Sequence, residues 1–138
     1  MGSLLKISEA ASIALHSLVV LSQRRDKLTS VKEIATALQI SANHLSKVMQ
    51  RLCKAGYIES IKGVNGGFRL IVDPESLPFI DIYELFDGKI ADDSCLLSRD
   101  GCQKNCIFGD LIDSVNKQVK KQFENTKISD FLSKHILD

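Results

Sequence analysis

Two capping serines and one glycine leave the middle of this chain few ways to fold. Ser30 opens the run Ser30-Val31-Lys32-Glu33, which has the form of a capping box, each polar side chain satisfying the other's end of the backbone. Ser41 can cap again eleven residues later, directly after Gln39-Ile40, and Gly56 stops what Ser41 starts. The spacing predicts one short helix through Leu38, a turn at Gln39-Ile40, and a second helix whose buried side is Leu45, Val48, Met49 and Leu52. Two short helices joined by so tight a turn form a helix-turn-helix. Tyr57-Ile58-Glu59-Ser60-Ile61 and Phe68-Arg69-Leu70-Ile71-Val72 then read as strands, with Lys62-Gly63-Val64-Asn65-Gly66-Gly67 as a glycine-rich tip. That adds a β-hairpin wing to the helix-turn-helix.

The flanks complete the outline. Ser8 caps a helix carrying Ala11, Ala14, Leu15, Leu18, Val19 and Leu21 at helical spacing, which ends at Arg24-Arg25-Asp26-Lys27. Asp73-Pro74 breaks the chain after the wing, and Phe79 to Phe86 reads as a short helix with Ile82, Leu85 and Phe86 inward. Gly88 to Gly101 reads as loop. From about Cys106 to Asn125, Phe108, Leu111, Ile112, Val115, Val119 and Phe123 form one apolar stripe along a long helix. A last short helix starts near Ile128, with Ser129 as its cap. The expected fold is mainly α with a small β-hairpin wing. Residues 1–74 form a winged helix-turn-helix head and 75–138 a cysteine-loop and dimerisation region, in one compact domain.

Charge separates these parts. From Arg24 to Arg69 nine bases face three acids, a surplus of six positive charges. From Asp73 to Asp113 ten acids face three bases, a surplus of seven negative ones. A basic head suits a polyanion ligand, although two solvated surfaces that merely differ would give the same count. No apolar run approaches the ~20 residues that span a bilayer, and the start lacks the pattern of a signal peptide. A cytoplasmic protein with no membrane contact is the expectation, and there cysteines serve as metal ligands or redox groups more than as structural disulfides.

The second helix of the pair begins with small and polar residues, Ser41, Ala42, Asn43, His44, Ser46 and Lys47, which leave its first turns free to enter a major groove. Asn43 suits an adenine edge and Lys47 a guanine. Arg51 and Arg69 are placed either as phosphate contacts or as intramolecular pairs. At the wing tip Asn65, Gly66 and Gly67 let the backbone approach phosphates or a minor groove; the same glycines also suit an ordinary hairpin turn.

Three of the four cysteines, Cys95, Cys102 and Cys106, fall within twelve residues. Their spacing lacks the close Cys-x2-Cys pair of structural zinc sites and is not a ferredoxin run. On its own it marks a soft-metal or redox site, or three unrelated thiols in a loop. Cys53, on the second helix, reads as a small buried hydrophobe. No nucleophile–base pair, phosphate loop or paired carboxylate is legible, so an enzyme is not expected.

Taken together, Ile40-Ser41 through Leu52, Lys54-Ala55-Gly56-Tyr57-Ile58, Gly63-Val64-Asn65-Gly66-Gly67-Phe68 and Leu77 to Gly88 resemble the IscR/NsrR-type family of winged-helix regulators. The likeness runs from about Lys6 to Leu132. It implies a homodimer binding palindromic double-stranded DNA and, in many members, an iron–sulfur cluster held by three loop cysteines. Asn43, Ser46 and Lys47 match base-reading positions, with Ser41, His44, Arg51, Asn65, Gly66 and Gly67 beside them on the DNA side. The wing departs from the family's common Pro-Gly-Gly-Gly, having Val64-Asn65-Gly66-Gly67. The cysteine intervals of six and three depart from the commoner five and five.

A cluster wants four ligands, and the loop supplies Cys95, Cys102 and Cys106. Some relatives carry a histidine three residues after the third cysteine, where this chain has Gly109. Others take a ligand from the first helix of the other subunit, where His16 stands, with Ser12, Glu9 and Asp110 as alternative donors. The resemblance thus implies a [2Fe-2S] cluster in preference to a [4Fe-4S] one, with the Phe108–Phe123 helix as dimer seam and recognition helices about one DNA turn, ~34 Å, apart. Two other readings stay open: the same cysteines as a cluster-free thiol switch, or a zinc-stabilised interaction module.

Overall fold

The computed structural model describes residues 5–90 and 106–133. In chain order it contains α1 (Glu9–Gln23), α2 (Val31–Leu38), α3 (Ala42–Lys54), β1 (Ile58–Ile61), β2 (Gly67–Leu70), α4 (Phe79–Asp87) and α5 (Leu111–Asn125). Short 3₁₀ turns occupy Pro74–Ser76 and Ile128–Phe131.

Three of the four expected serine caps, Ser8, Ser30 and Ser41, form. Ser8 Oγ accepts from the Ala11 amide at 3.0 Å, Ser30 Oγ from Glu33 at 3.1 Å and Ser41 Oγ from His44 at 3.4 Å. The capping box at Ser30 closes from one side, and the Glu33 carboxylate stands 3.6 Å from the Arg24 guanidinium. Gln39 ends α2 in the left-handed conformation, φ 56°, while the amide of Ile40 reaches back to the Ala35 carbonyl at 3.0 Å. Gly56, φ 88°, turns the chain out of α3 in the same way.

The core is one cluster. Leu15, Leu18 and Leu21 of α1 meet Ile34 of α2 and Leu45, Met49 and Leu52 of α3, then Ile58 and Leu70 of the wing, and Ile82 and Ile128 beyond it. α1 packs against α2, α3, α4, β2 and the terminal 3₁₀ turn, which explains why ten of its side chains are buried. β1 and β2 pair antiparallel from Ile58↔Leu70 to Ile61↔Gly67, one residue earlier on the second strand than the apolar run suggests. Thr29 adds a bridge to Phe68, with N–H···O distances of 3.0 and 2.8 Å.

Two expectations are corrected. The long helix starts at Leu111 rather than near Cys106, because Gly109 adopts φ 58° and residues 107–110 form turns. Phe108 therefore precedes the helix that carries the rest of its stripe. The last helix is a 3₁₀ turn in which Ser129 is internal; Asp130 Oδ2 accepts from the Lys127 amide at 2.8 Å instead. The far end of α5 is well anchored. Phe79 stacks on Phe131 at 5.5 Å, Tyr83 lies 5.3 Å from Phe123, and the Phe79 amide donates to the Thr126 carbonyl at 2.8 Å.

Candidate nucleic-acid interface and sensor site

With Leu45, Val48, Met49 and Leu52 buried, the opposite side of α3 presents Asn43, Lys47, Gln50 and Lys54, all exposed. These four recur at intervals of four, three and four, so they form one polar stripe along the helix. Asn43 and Lys47 were expected there. Gln50 and Lys54 were not, although inverting the buried pattern of the same helix would have found both. Ser41 is exposed and engaged as the cap, and Ser46 is half-buried on one flank.

The other flank carries His44 and Arg51, two turns apart. His44 Nδ1 lies 3.7 Å from Glu9 Oε1 at the start of α1. Arg51 Nη2 donates to the Leu85 carbonyl at 2.7 Å, and its guanidinium carbon sits 4.7 Å from the Phe86 ring centroid. Arg69 pairs with Glu59 directly across the hairpin. Of the two roles open to these arginines, the structure displays the intramolecular one for both.

At the wing tip, Val64 and Asn65 are exposed. The glycines behind them have a packing reason to be glycines. A Cβ on Gly66 would fall 2.1 Å from the Ile61 carbonyl oxygen, and one on Gly67 2.7 Å from that of Thr29. This long-range contact, unlike a hairpin turn, cannot be seen in the local sequence.

Cys95 and Cys102 lie outside the described residues; Cys106 is a half-buried free thiol at the entrance to the turns before α5. Cys53 is half-buried too, and loss of solvation raises its thiol pKa, as fits a packing residue. Among the described residues no three His, Cys, Asp or Glu side chains gather closely enough to hold a metal.

His16 is exposed on α1, and its Nδ1 stands 2.7 Å from the Ser12 carbonyl oxygen. A carbonyl only accepts, so Nδ1 donates in this contact, and the tautomer that does so has its lone pair on Nε2. That is the arrangement by which metal-binding histidines are held in one tautomer. Thiolates and an imidazole nitrogen are the donors that iron–sulfur groups take, so the donor set fits such a group. His16 and Ser12 also edge a cavity of ≈ 240 Å³ lined by Leu15, Val19, Phe79, Phe123 and Phe131. Among the alternative donors, Glu9 faces His44, and the Asp110 side chain makes no capping bond at the start of α5.

Comparison with known proteins places this architecture. Residues 7–134 match the family model Rrf2, described as "Iron-dependent Transcriptional regulator". A protein of Aquifex aeolicus described as an HTH-type transcriptional regulator is 34% identical over 130 residues, 91% of this chain and 90% of its own length. The HTH-type transcriptional regulator NsrR of Halalkalibacterium halodurans is 56% identical over 55 residues, 40% of this chain and 38% of its own. The solved structure of CymR (YrzC), the "Global Cysteine Regulator of B. subtilis", superimposes with a TM-score of 0.80 at 26% identity, covering 96% of this chain and 99% of that one. No helix among the described residues is long and apolar enough to cross a membrane. The family consists of transcriptional regulators rather than enzymes, and this chain, with its winged helix-turn-helix, belongs to the Rrf2 family.

Proposed function

We propose that the protein is a cytoplasmic homodimeric repressor whose grip on palindromic DNA is gated by an iron–sulfur cluster. Residues 1–74 serve as the DNA-binding head and 75–138 as the cysteine-loop and dimerisation region. Cys95, Cys102 and Cys106 would hold the cluster, [2Fe-2S] in preference to [4Fe-4S], with His16 of the partner subunit as the fourth ligand. When bound, such a group supplies sensitivity to oxidants and to iron supply.

The observation that carries the cluster reading is the His16 Nδ1–Ser12 carbonyl contact at 2.7 Å, which engages one ring nitrogen and turns Nε2 to ligand duty. On the DNA side, Asn43, Ser46, Lys47 and Gln50 read bases, while Ser41, His44, Asn65, Gly66 and Gly67 bring backbone and polar groups close to the duplex. Arg51 lies on the flank of α3, engaged with Leu85 and Phe86. The dimer reading rests on exposed apolar groups before and along the first half of α5: Phe108 is 45% exposed, Leu111 57% and Val115 39%.

A second reading keeps DNA binding and makes the three loop cysteines a thiol switch that oxidises to sulfenate or disulfide. It is favoured by the match, at a TM-score of 0.76 and 25% identity, to Staphylococcus aureus CymR solved in an "oxidized form". Anaerobic purification followed by an absorption spectrum and iron and sulfide analysis separates the two. The cluster reading expects coloured protein with both elements, and a shorter cluster lifetime in His16→Ala. Colourless, iron-free protein that still binds DNA in a redox-dependent way would select the thiol switch. Equal DNA affinity of cluster-loaded and cluster-free protein would sink gating by a cluster.

A further inference from the structure

The last turn of α4 is tied both to α3 and to the start of α1. Arg51, in the last turn of α3, donates to the Leu85 carbonyl at 2.7 Å and lays its guanidinium over Phe86 at 4.7 Å. Asp87, the final residue of α4, accepts from the Ser8 amide at 2.9 Å, the residue that caps α1. The next residue of α1, Glu9, faces His44 at the other end of α3. α4 then ends at Gly88, φ 83°, and Cys95 stands seven residues beyond Gly88 in the sequence.

The chemistry of the Arg51 contact suits a coupling element. The Leu85 carbonyl belongs to the last turn of a helix, where carbonyls lack intrahelical donors and the dipole is negative. A cation meets both needs. Arginine also sits over the Phe86 ring while its fork of donors reaches the carbonyl, which lysine's single ammonium does not match. Arg51 is exposed, so the contact adds modestly to stability and can be made or released without opening the core. His44 and Arg51 share one flank of α3, while the DNA-facing stripe of Asn43, Lys47, Gln50 and Lys54 lies on the opposite side from the core. Arg51 thus holds the C-terminal end of α3 from beside that stripe.

We infer that Arg51 is a positioning residue that couples the base of the cysteine-bearing segment to the recognition helix, rather than a contact to DNA. This rests on the proposed gating of DNA binding by that segment. A change in how the chain leaves α4 shifts Leu85 and Phe86, and Arg51 passes the shift to the C-terminal end of α3. By reciprocity, DNA bound on α3 must bias the last turn of α4 through the same contact.

The test compares wild-type protein with Arg51→Met and, as a second variant that leaves the carbonyl in place, Phe86→Leu. The probe is a duplex of roughly 30 base pairs selected by the wild-type protein from a random pool, long enough for two half-sites one helical turn apart. Affinity is measured with cluster-loaded and cluster-free protein, at several salt concentrations, alongside amide exchange at Leu85–Gly88 with and without DNA. The inference expects the affinity ratio between the two states to fall at least about fivefold in Arg51→Met. The salt slope stays at its wild-type value, and the slowing of Leu85–Gly88 exchange by DNA is lost. A salt slope smaller by about 0.9 with the affinity ratio intact overturns it, since that is the signature of one lost phosphate contact. If the wild-type ratio is itself one, the gating proposal fails and exchange alone decides. DNA-dependent slowing at Leu85–Gly88 that Arg51→Met removes sustains the coupling; slowing that survives, or none in the wild type, overturns it.

Discussion

α1 and α5 are each fifteen residues long, yet ten side chains of α1 are buried and none of α5 is. α1 is surrounded by its own chain, and even Ser17 and Ser22 on it are covered. α5 has an apolar stripe as well, but only its C-terminal end meets an aromatic partner, through Phe123, Phe79 and Tyr83. Its first half carries Leu111 and Val115 into solvent. A helix of one length therefore does two jobs. The first organises the fold, and the second offers a surface left exposed among the described residues.

That contrast can be broken most forcefully at Leu18, which is fully buried at the centre of α1. Leu18→Ala should lower unfolding free energy by about 2–5 kcal/mol in urea denaturation. A loss below about 1 kcal/mol, no more than an average point substitution costs, would mean that α1 does not organise the core. At the other pole, Leu111→Asp with Val115→Asp should raise the dimer dissociation constant by more than about tenfold in sedimentation equilibrium, because each charge would have to be desolvated in the seam. The same pair should leave the stability of the single chain within about 0.5 kcal/mol, as surface changes do. Unchanged association would move the seam off α5. The gentlest probe is the helix start. Ser8→Ala removes a real cap from α1 and should cost about 1 kcal/mol, whereas Asp110→Ala, whose side chain makes no cap bond, should change stability by less than about 0.5 kcal/mol. Equal effects at both would erase the distinction between the two helices.

The parts of the fold that were legible are those governed by local backbone chemistry. Ser8, Ser30, Ser41 and Gly56 act within three or four residues of themselves, so their roles follow from the types and the spacing. The beginning of α5 was misplaced because the apolar stripe continues through Phe108 while Gly109 takes a left-handed conformation that the pattern does not record. The candidate site divides in the same way. The inward residues of α3 were read correctly, and with them the side that Asn43 and Lys47 share, but Gln50 and Lys54 went unnoticed on that side. Arg51 finds its partners 34 residues away, and no sequence rule connects it to Leu85. His16 was found through a resemblance, while the contact that fixes its ring is local, four residues back, but depends on the rotamer. Cys95 and Cys102 lie outside the described residues.

The bridge between Thr29 and Phe68 has a consequence for how such a protein can change its target. Because Gly67 lies flat against Thr29, with no room for a Cβ, the hairpin and the entrance to α2 are clamped at a fixed offset. The wing cannot slide relative to the helix-turn-helix while that contact holds. Side chains on α3 and at the wing tip can then be exchanged on an unchanged frame, as type is reset in a fixed press, and glycine at 67 is the setting that keeps the frame closed.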